Sequence, residues 1–136
     1  MDNKTLVKKA IEAREMAYVP YSHFKVGAAL LCKDGTVYLG CNIENAAYSP
    51  TNCAERTAFF KAVSEGQREF EKIAIVGGME DELSPLCAPC GVCRQVMIEF
   101  CSPETFEVIL GTEENHRAYL LKEILPLGFS PKDLEG

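Results

Sequence analysis

The sequence has few of the features that mark membrane, secreted or nucleic-acid-binding proteins. No apolar run approaches the ~20 residues that cross a bilayer, and residues 1–10 are charged and lack the apolar core of a secretory signal. Basic residues are also few, since 14 Lys and Arg stand against 20 Asp and Glu for a net charge of −6. Polynucleotide binders usually carry a basic face. We therefore expect a small free substrate, no nucleic-acid or membrane partner, and a cytoplasmic location.

Histidines are scarce, whereas cysteines are not. His23 and His116 are the only two histidines, and neither lies in a metal-ligand pattern. The seven cysteines could suggest a disulfide scaffold, but their odd number, the lack of a signal segment and a hydrophobic fraction of 47% favour reduced thiols that hold a metal. The length of 136 residues predicts a single domain, residues 1–136, with one core.

Hydrophobic patterning predicts a helix and then a hairpin at the start of the chain. Apolar residues at helical spacing predict an amphipathic first helix of about four turns that ends near residues 18–20. Its charged residues, including Arg14, are expected to face water or a partner. Alternation over residues 24–32, the Asp34-Gly35 turn signal and a return strand over residues 37–43 predict an antiparallel hairpin.

Two helices and three further strands are predicted after the hairpin. Asn52 is expected to cap the first of these helices, with Cys53 at its first position, and the second is expected to begin around Cys90. Strands are predicted over residues 72–77, 107–111 and 117–121, and a brief helix over residues 122–125 precedes a polar tail. This order predicts an α/β fold, a three-layer α/β/α sandwich around a mixed sheet of about five strands.

Two short stretches supply three thiols and one carboxylate. They are Cys53-Ala54-Glu55-Arg56 and, about 35 residues later, Pro89-Cys90-Gly91-Val92-Cys93-Arg94-Gln95. Both thiol clusters fall at predicted helix amino termini, where the helix dipole favours thiolates. If the two helices lie side by side, Cys53, Cys90 and Cys93 can converge on one ion. Thiolates select zinc over hard cations, although the residues do not distinguish zinc from iron, and three protein ligands leave a fourth tetrahedral position for water.

The negative charge of such a cluster predicts a supporting shell of donors. Three thiolates outweigh the charge of one zinc ion, which would blunt the ability of the metal to acidify water. Arg56, beside Glu55, is therefore predicted to hydrogen-bond the thiolates, and Gln95 is predicted to do likewise.

The same thiols also fit a closed structural zinc site in a noncatalytic interaction domain. In that case Cys87, Cys41 or Cys101 would be the fourth ligand, and the run Cys87-x-x-Cys90-x-x-Cys93 allows two C-x-x-C registers. Three thiolates plus water would indicate an enzyme, and four thiolates would indicate a structural site. The role of Cys87 is otherwise unassigned.

The C-x-E and P-C-x-x-C motifs together resemble zinc deaminases. With residues 24–30 (FKVGAAL) and 42–48 (NIENAAY), the chain resembles the small cytidine deaminases of pyrimidine nucleoside salvage over about residues 18–129. The resemblance implies a zinc-dependent hydrolase that converts cytidine and 2′-deoxycytidine to uridine and 2′-deoxyuridine with release of ammonia. It also implies one zinc per subunit and a homotetramer. The intact Phe24, Asn42 and Glu44 favour ordinary nucleosides over the nucleoside antibiotic that a sibling deaminase would take.

The resemblance further implies a role for each residue of the site. Glu55 would take a proton from the attacking water, pass it to N3 of the pyrimidine and later protonate the leaving amine, although Asn52-x-x-Glu55 also has the spacing of a capping box. Phe24 would stack on the base, where pattern alone favours an ordinary core aromatic. The remaining implied residues are Asn42 and Glu44 at the ribose hydroxyls, Ala54 in the substrate site, and Ala46, Tyr48 and Phe129 contributed by neighbouring subunits.

Overall fold

The computed structural model describes residues 1–135, which form five helices and five strands. Residue 136, which the predicted single domain includes, lies outside this range. Within this range the helices are α1 (Asn3–Arg14), α2 (Ala54–Ser64), α3 (Gly91–Phe100), α4 (Leu121–Ile124) and α5 (Pro131–Glu135), and the strands are β1 (Phe24–Cys32), β2 (Val37–Cys41), β3 (Phe70–Met79), β4 (Glu107–Gly111) and β5 (His116–Leu120). Every helix in this range is too short or too polar to cross a lipid bilayer.

The strands form one mixed sheet in the order β2-β1-β3-β4-β5. Strand β1 lies between β2 and β3 and is antiparallel to both, β3 and β4 are parallel, and β5 is antiparallel to β4. Strands β2, β3 and β4 therefore point the same way, as expected for strands joined through α2 and α3. The predicted mixed sheet of about five strands is confirmed.

Helices cover both faces of the sheet, which confirms the three-layer α/β/α arrangement. On one face, α1 buries Leu6 and Val7 against a cluster that includes Val76 of β3. On the other face, α2 and α3 bury Phe59 and Met97 in the larger core cluster. Because removal of apolar surface from water is the main favourable term in folding, the larger cluster fixes α2 and α3 side by side on the same face.

The first helix is shorter than predicted, and its last residue is buried. Helix α1 ends at Arg14, about one turn before the expected end. Arg14 was expected to face water or a partner, but it is only 4% exposed. Its guanidinium donates to the backbone carbonyls of Lys25, Gly78, Glu80 and Glu82 at 3.0, 2.8, 2.5 and 3.1 Å. These bonds satisfy carbonyls of the loop after β3 and join that loop to α1.

Strand β2 and the carboxyl-terminal tail also differ from the sequence-based expectation. Strand β2 ends at Cys41, because Ile43 leaves the sheet and forms isolated bridges with Tyr18 and Asn52. The tail, which was expected to be polar, contains a helix that was not predicted, α5, whose Asp133 side chain accepts a hydrogen bond from Ser130 N at 2.8 Å.

Candidate active site

The amino termini of α2 and α3 meet at one edge of the sheet. Both helices follow strands that point the same way, so both begin at the edge where β2 and β3 end. Gly40 of β2 allows the first turn of α2 to approach closely, because a Cβ at this position would lie 2.3 Å from Ala54 O. Cys53 and Cys90 are the residues that immediately precede the two helices, and both have extended backbone conformations.

The predicted cap of α2 was wrong by one residue. Cys53 is the N-cap residue, and the helix begins at Ala54. Asn52 instead pairs through its backbone with Ile43, and its Nδ2 donates to Thr57 Oγ1 at 3.1 Å. Glu55 therefore lies in the first turn of α2 without the Asn52 cap that a capping box requires.

Three sulfur atoms converge between the two helix ends. Cys53 Sγ lies 3.8 Å from Cys90 Sγ, Cys90 Sγ lies 3.6 Å from Cys93 Sγ, and all three lie within 4.8 Å of one another. A tetrahedron with zinc–sulfur bonds of about 2.3 Å has edges of about 3.8 Å. The three sulfurs are thus spaced to hold one zinc ion.

The cluster of three sulfurs leaves out the remaining cysteines. Among residues 1–135, Cys53, Cys90 and Cys93 form the group of potential metal ligands that is close enough to share an ion. Cys87, Cys41 and Cys101 do not belong to this group, so the described residues provide no fourth thiol for a closed structural site. This geometry disfavours the four-thiolate alternative.

Arg56 provides positive charge beside the sulfurs, as predicted. Its Nη2 donates to Cys53 Sγ at 3.3 Å. Hydrogen bonding from the Cys93 thiol and from Arg56 lowers the pKa of Cys53 to about 5, although burial opposes the shift. The same sharing of a proton with Cys53, together with burial, raises the pKa of Cys93 above its ordinary value. Cys53 therefore ionises more readily than Cys93.

Glu55 is a buried carboxylate without a full set of partners. The residue is 4% exposed, and its Oε1 has no hydrogen-bond partner among the described residues. Burial raises the pKa of the Glu55 carboxyl from 4.5 to about 7. A buried polar oxygen without a partner is costly. The position of Glu55 Oε1 beside the sulfur cluster therefore indicates a site for a polar ligand. Such an oxygen fits a metal site with an open coordination position.

Phe24, Asn42 and Glu44 meet at one rim, as predicted from the hairpin. Asn42 Nδ2 donates to Phe24 O at 2.9 Å, and Asn42 Oδ1 accepts from Val26 N at 2.9 Å. Glu44 Oε1 accepts from Tyr21 N and Ser22 N at 3.0 and 3.1 Å. The two side chains therefore hold the start of β1 and the turn before it.

Gly77 lies close to both Cys87 and Phe24, an arrangement that the sequence did not predict. A Cβ at Gly77 would lie 2.6 Å from Cys87 Sγ and 3.0 Å from Phe24 Cε1. The absence of a side chain at Gly77 thus leaves room for both groups at the end of β3. Cys87 is close enough to Glu55 and Cys53 for their charges, after the larger effect of burial, to help raise the pKa of its thiol to about 11. The apolar run of residues 72–77 was the only sequence signal for Gly77, and it predicts a strand alone.

The other predicted site residues lie in contrasting surroundings. Ala54 is fully buried at the start of α2. Ala46, Tyr48 and Phe129 are exposed, Tyr48 to 76% and Phe129 to 57%. Gln95 was predicted to bond the thiolates, but its Nε2 donates to Phe129 O at 2.8 Å. The Gln95 side chain therefore joins α3 to the carboxyl-terminal segment.

Comparisons with known proteins agree with this geometry. Residues 1–109 match the family described as the cytidine and deoxycytidylate deaminase zinc-binding region. The chain is 52% identical to cytidine deaminases of Sporosarcina psychrophila, over 98% of this chain and 96% of the relative, and of Halalkalibacterium halodurans, over 98% of each. A crystal structure of cytidine deaminase from Burkholderia pseudomallei superposes with a TM-score of 0.86 at 49% identity, covering 95% of this chain and 100% of that one.

The fold, the cluster of three cysteines and these similarities lead to one assignment. The family match covers β1, β2, β3 and the two helix amino termini that carry the thiols, and the relatives align over nearly the whole chain. The chain belongs to the cytidine deaminase family.

Proposed function

We propose that the chain is a zinc-dependent enzyme that hydrolyses cytidine and 2′-deoxycytidine to uridine and 2′-deoxyuridine, releases ammonia and acts in pyrimidine salvage in the cytoplasm. The observation that supports this most is the buried Glu55 carboxylate, whose Oε1 has no partner among the described residues and which lies beside three sulfurs spaced for one ion. We propose further that residues 1–136 form one catalytic domain.

Cys53, Cys90 and Cys93 would hold one zinc ion per subunit. When bound, zinc supplies a Lewis acid that makes a water molecule more acidic. Arg56 supports the thiolates by donating to Cys53 Sγ at 3.3 Å, which offsets part of the negative charge of the cluster. The dipoles of α2 and α3, which begin at Ala54 and Gly91, also stabilise the thiolates at their amino termini.

Glu55 would move the protons of the reaction. It accepts a proton from the attacking water, delivers it to N3 of the pyrimidine, and later protonates the amine that leaves from C4. Because burial raises the pKa of its carboxyl to about 7, the same group can accept and donate a proton near neutral pH. General acid–base catalysis of this kind contributes about 10²–10⁴-fold to the rate.

The rim at the start of β1 would bind the nucleoside. Phe24 stacks on the base, Asn42 and Glu44 bond the ribose hydroxyls, and Ala54 lines the pocket. The Glu44 carboxylate suits a free 3′-hydroxyl and would repel a 3′-phosphate, which favours a nucleoside over a 3′-nucleotide or a polynucleotide. The net charge of −6 supports the same substrate class.

Neighbouring subunits would complete each pocket in a homotetramer. Ala46, Tyr48 and Phe129 are exposed in the single chain, and large exposed aromatic groups are common at subunit interfaces. We propose that these three residues reach the pocket of an adjacent copy. Light scattering coupled to size-exclusion chromatography tests the assembly, because a monomer at micromolar concentration would contradict it.

Ammonia release from cytidine and deoxycytidine tests the proposed function. The assay compares zinc-loaded wild type with Glu55→Gln, and zinc content is measured in both proteins. We expect the variant to lose activity and to keep its zinc, because Glu55 is proposed to move protons and not to bind metal. A zinc-loaded wild type that is inert on both nucleosides would contradict the substrate assignment and favour a sibling deaminase.

A further inference from the structure

Ser22 connects two residues of the proposed nucleoside site. Its Oγ donates a hydrogen bond to Glu44 Oε2 and accepts one from Phe24 N at 3.0 Å. One hydroxyl thus joins the carboxylate proposed for the ribose to the backbone of the aromatic residue proposed for the base. Neither the sequence motifs nor the predicted site residues included Ser22.

We propose that Ser22 is a positioning residue for recognition of the sugar: its hydroxyl orients the Glu44 carboxylate so that one acceptor position on Oε2 remains for the 3′-hydroxyl of the nucleoside. This inference rests on the proposed function. Ser22 would affect specificity for the sugar through Glu44, and no contact between Ser22 and the reacting atoms is proposed.

The count of hydrogen bonds on Glu44 supports this role. An ionised carboxylate has about four acceptor positions, about two on each oxygen. Glu44 Oε1 accepts from both Tyr21 N and Ser22 N, so its positions are occupied. Glu44 Oε2 accepts from the Ser22 hydroxyl and keeps one position. A sugar hydroxyl that binds Glu44 would therefore bind Oε2, the oxygen that Ser22 holds.

The local backbone brings the hydroxyl to both partners. His23, between Ser22 and Phe24, has a φ of 60°, a left-handed conformation that is uncommon for residues other than glycine. This turn allows Ser22 Oγ to accept from the amide two residues later. The opposite side of Phe24 is held by Asn42, whose Nδ2 donates to Phe24 O at 2.9 Å. Side chains therefore hold both backbone polar groups of Phe24.

The surface beside this network is open to a ligand. A depression is lined by Tyr21, Ser22, Glu44, Asn45, Tyr48 and Thr51. Without the Ser22 hydroxyl, Glu44 would keep its two backbone donors on Oε1 and lose the only described donor that orients Oε2. The bond to a sugar hydroxyl would then require ordering of the carboxylate on binding, which costs affinity.

A comparison of two substrates isolates this effect. We measure kcat/KM for cytidine and for 3′-deoxycytidine with zinc-loaded wild type, Ser22→Ala and Ser22→Thr. In Ser22→Ala the ratio of the two values, cytidine over 3′-deoxycytidine, is expected to fall about tenfold, the effect of one lost bond to a charged group. Because Ser22→Thr keeps the hydroxyl, its ratio is expected to stay within about twofold of wild type.

Ser64→Ala is the matched control, since among residues 1–135 Ser64 Oγ bonds Lys61 O of its own helix alone. Its ratio should equal that of wild type. An unchanged ratio in Ser22→Ala would overturn the inference. If both values fell equally, Ser22 would support Phe24 alone, and if neither fell, the Ser22 hydroxyl would have no role in recognition. A wild type that is inert on cytidine would instead overturn the proposed function, and this inference with it.

Discussion

Arg56 and Cys53 form a direct charge-assisted contact at the sulfur cluster: Arg56 Nη2 donates to Cys53 Sγ at 3.3 Å. The two residues are separated by one turn of α2. The position of the thiol before the helix therefore also fixes which side chain can neutralise it. Since this contact and the Cys93 thiol lower the pKa of Cys53 from 9.0 to about 5, Arg56 affects the pH at which the cluster can bind metal.

Arg56→Ala is expected to weaken zinc binding about tenfold. Zinc requires the thiolate, and loss of the guanidinium raises the pKa of Cys53, so protons compete better with the metal. The loss should be larger at pH 6 than at pH 8. Zinc retained after dialysis against a chelator at the two pH values measures this loss. Arg68→Ala is the control, because Arg68 Nη1 donates to the backbone carbonyls of Val63 and Gln67. Equal zinc retention in both variants would contradict the role of Arg56.

Glu55 should make the stability of the metal-free protein depend on pH. Its pKa rises from 4.5 to about 7 on folding, so the folded state favours the neutral carboxyl. The stability it contributes is present below pH 4.5 and is lost as the pH rises through about 7. Urea unfolding at pH 4.5 and pH 8 should show Glu55→Gln gaining about 3 kcal/mol relative to wild type at the higher pH. If the stability of the two proteins changed equally with pH, the pKa of Glu55 would not be raised in the folded state.

Gly77→Ala is expected to lower kcat/KM for cytidine by roughly tenfold or more, because a Cβ there displaces groups of the pocket. That Cβ would lie 2.6 Å from Cys87 Sγ and 3.0 Å from Phe24 Cε1. Cys87→Ala provides space, so the double variant should recover part of the loss, and Cys87→Ala alone should keep the zinc content of wild type. If the losses are simply additive, the two positions do not compete for this space.

Arg14→Met is expected to cost about 3 kcal/mol of stability, because it leaves buried carbonyl groups without donors. The carbonyls belong to Lys25 and to residues 78, 80 and 82. Urea unfolding measures the change, and Lys4→Ala, an exposed substitution in the same helix, is the control. If Arg14→Met lost as little free energy of unfolding as the control, the loop after β3 would not depend on Arg14 for its conformation.

The positions of the thiols and of Glu55 could be predicted because short spacings determine them. Two residues separate Cys90 from Cys93 and one separates Cys53 from Glu55, so a helix start fixes their relative placement. The hairpin likewise brought Phe24 and Asn42 together, since strand pairing has a fixed register. These relations depend on local structure, which sequence patterns describe well.

The contacts of Arg14, Ser22 and Asn52 could not be predicted, because their partners depend on tertiary structure. Arg14 lies on a helix whose pattern places charge in water, and its carbonyl partners at residues 78–82 lie more than 60 positions away. Ser22 contacts Glu44, which lies 22 positions away, and the left-handed conformation of His23 that lets the same hydroxyl reach Phe24 N has no sequence signature. Asn52 has the side chain of a good cap, but a bridge to Ile43 uses its backbone.

Strand β1 runs antiparallel to both of its neighbours, and this direction decides which residues lie at the edge of the sheet that carries the thiols. In a sheet whose strands all pointed one way, Phe24, the first residue of β1, would lie at the far edge from the residues that follow β2 and β3. The strand has nine residues, so the separation would be roughly 30 Å. Because β1 runs in the opposite direction, its first residue, Phe24, lies near the last residues of β2 and β3. This edge of the sheet can thus carry side chains from the first residue of one strand and from the residues that follow other strands. In a purely parallel sheet, one edge carries only one of these two kinds of residue.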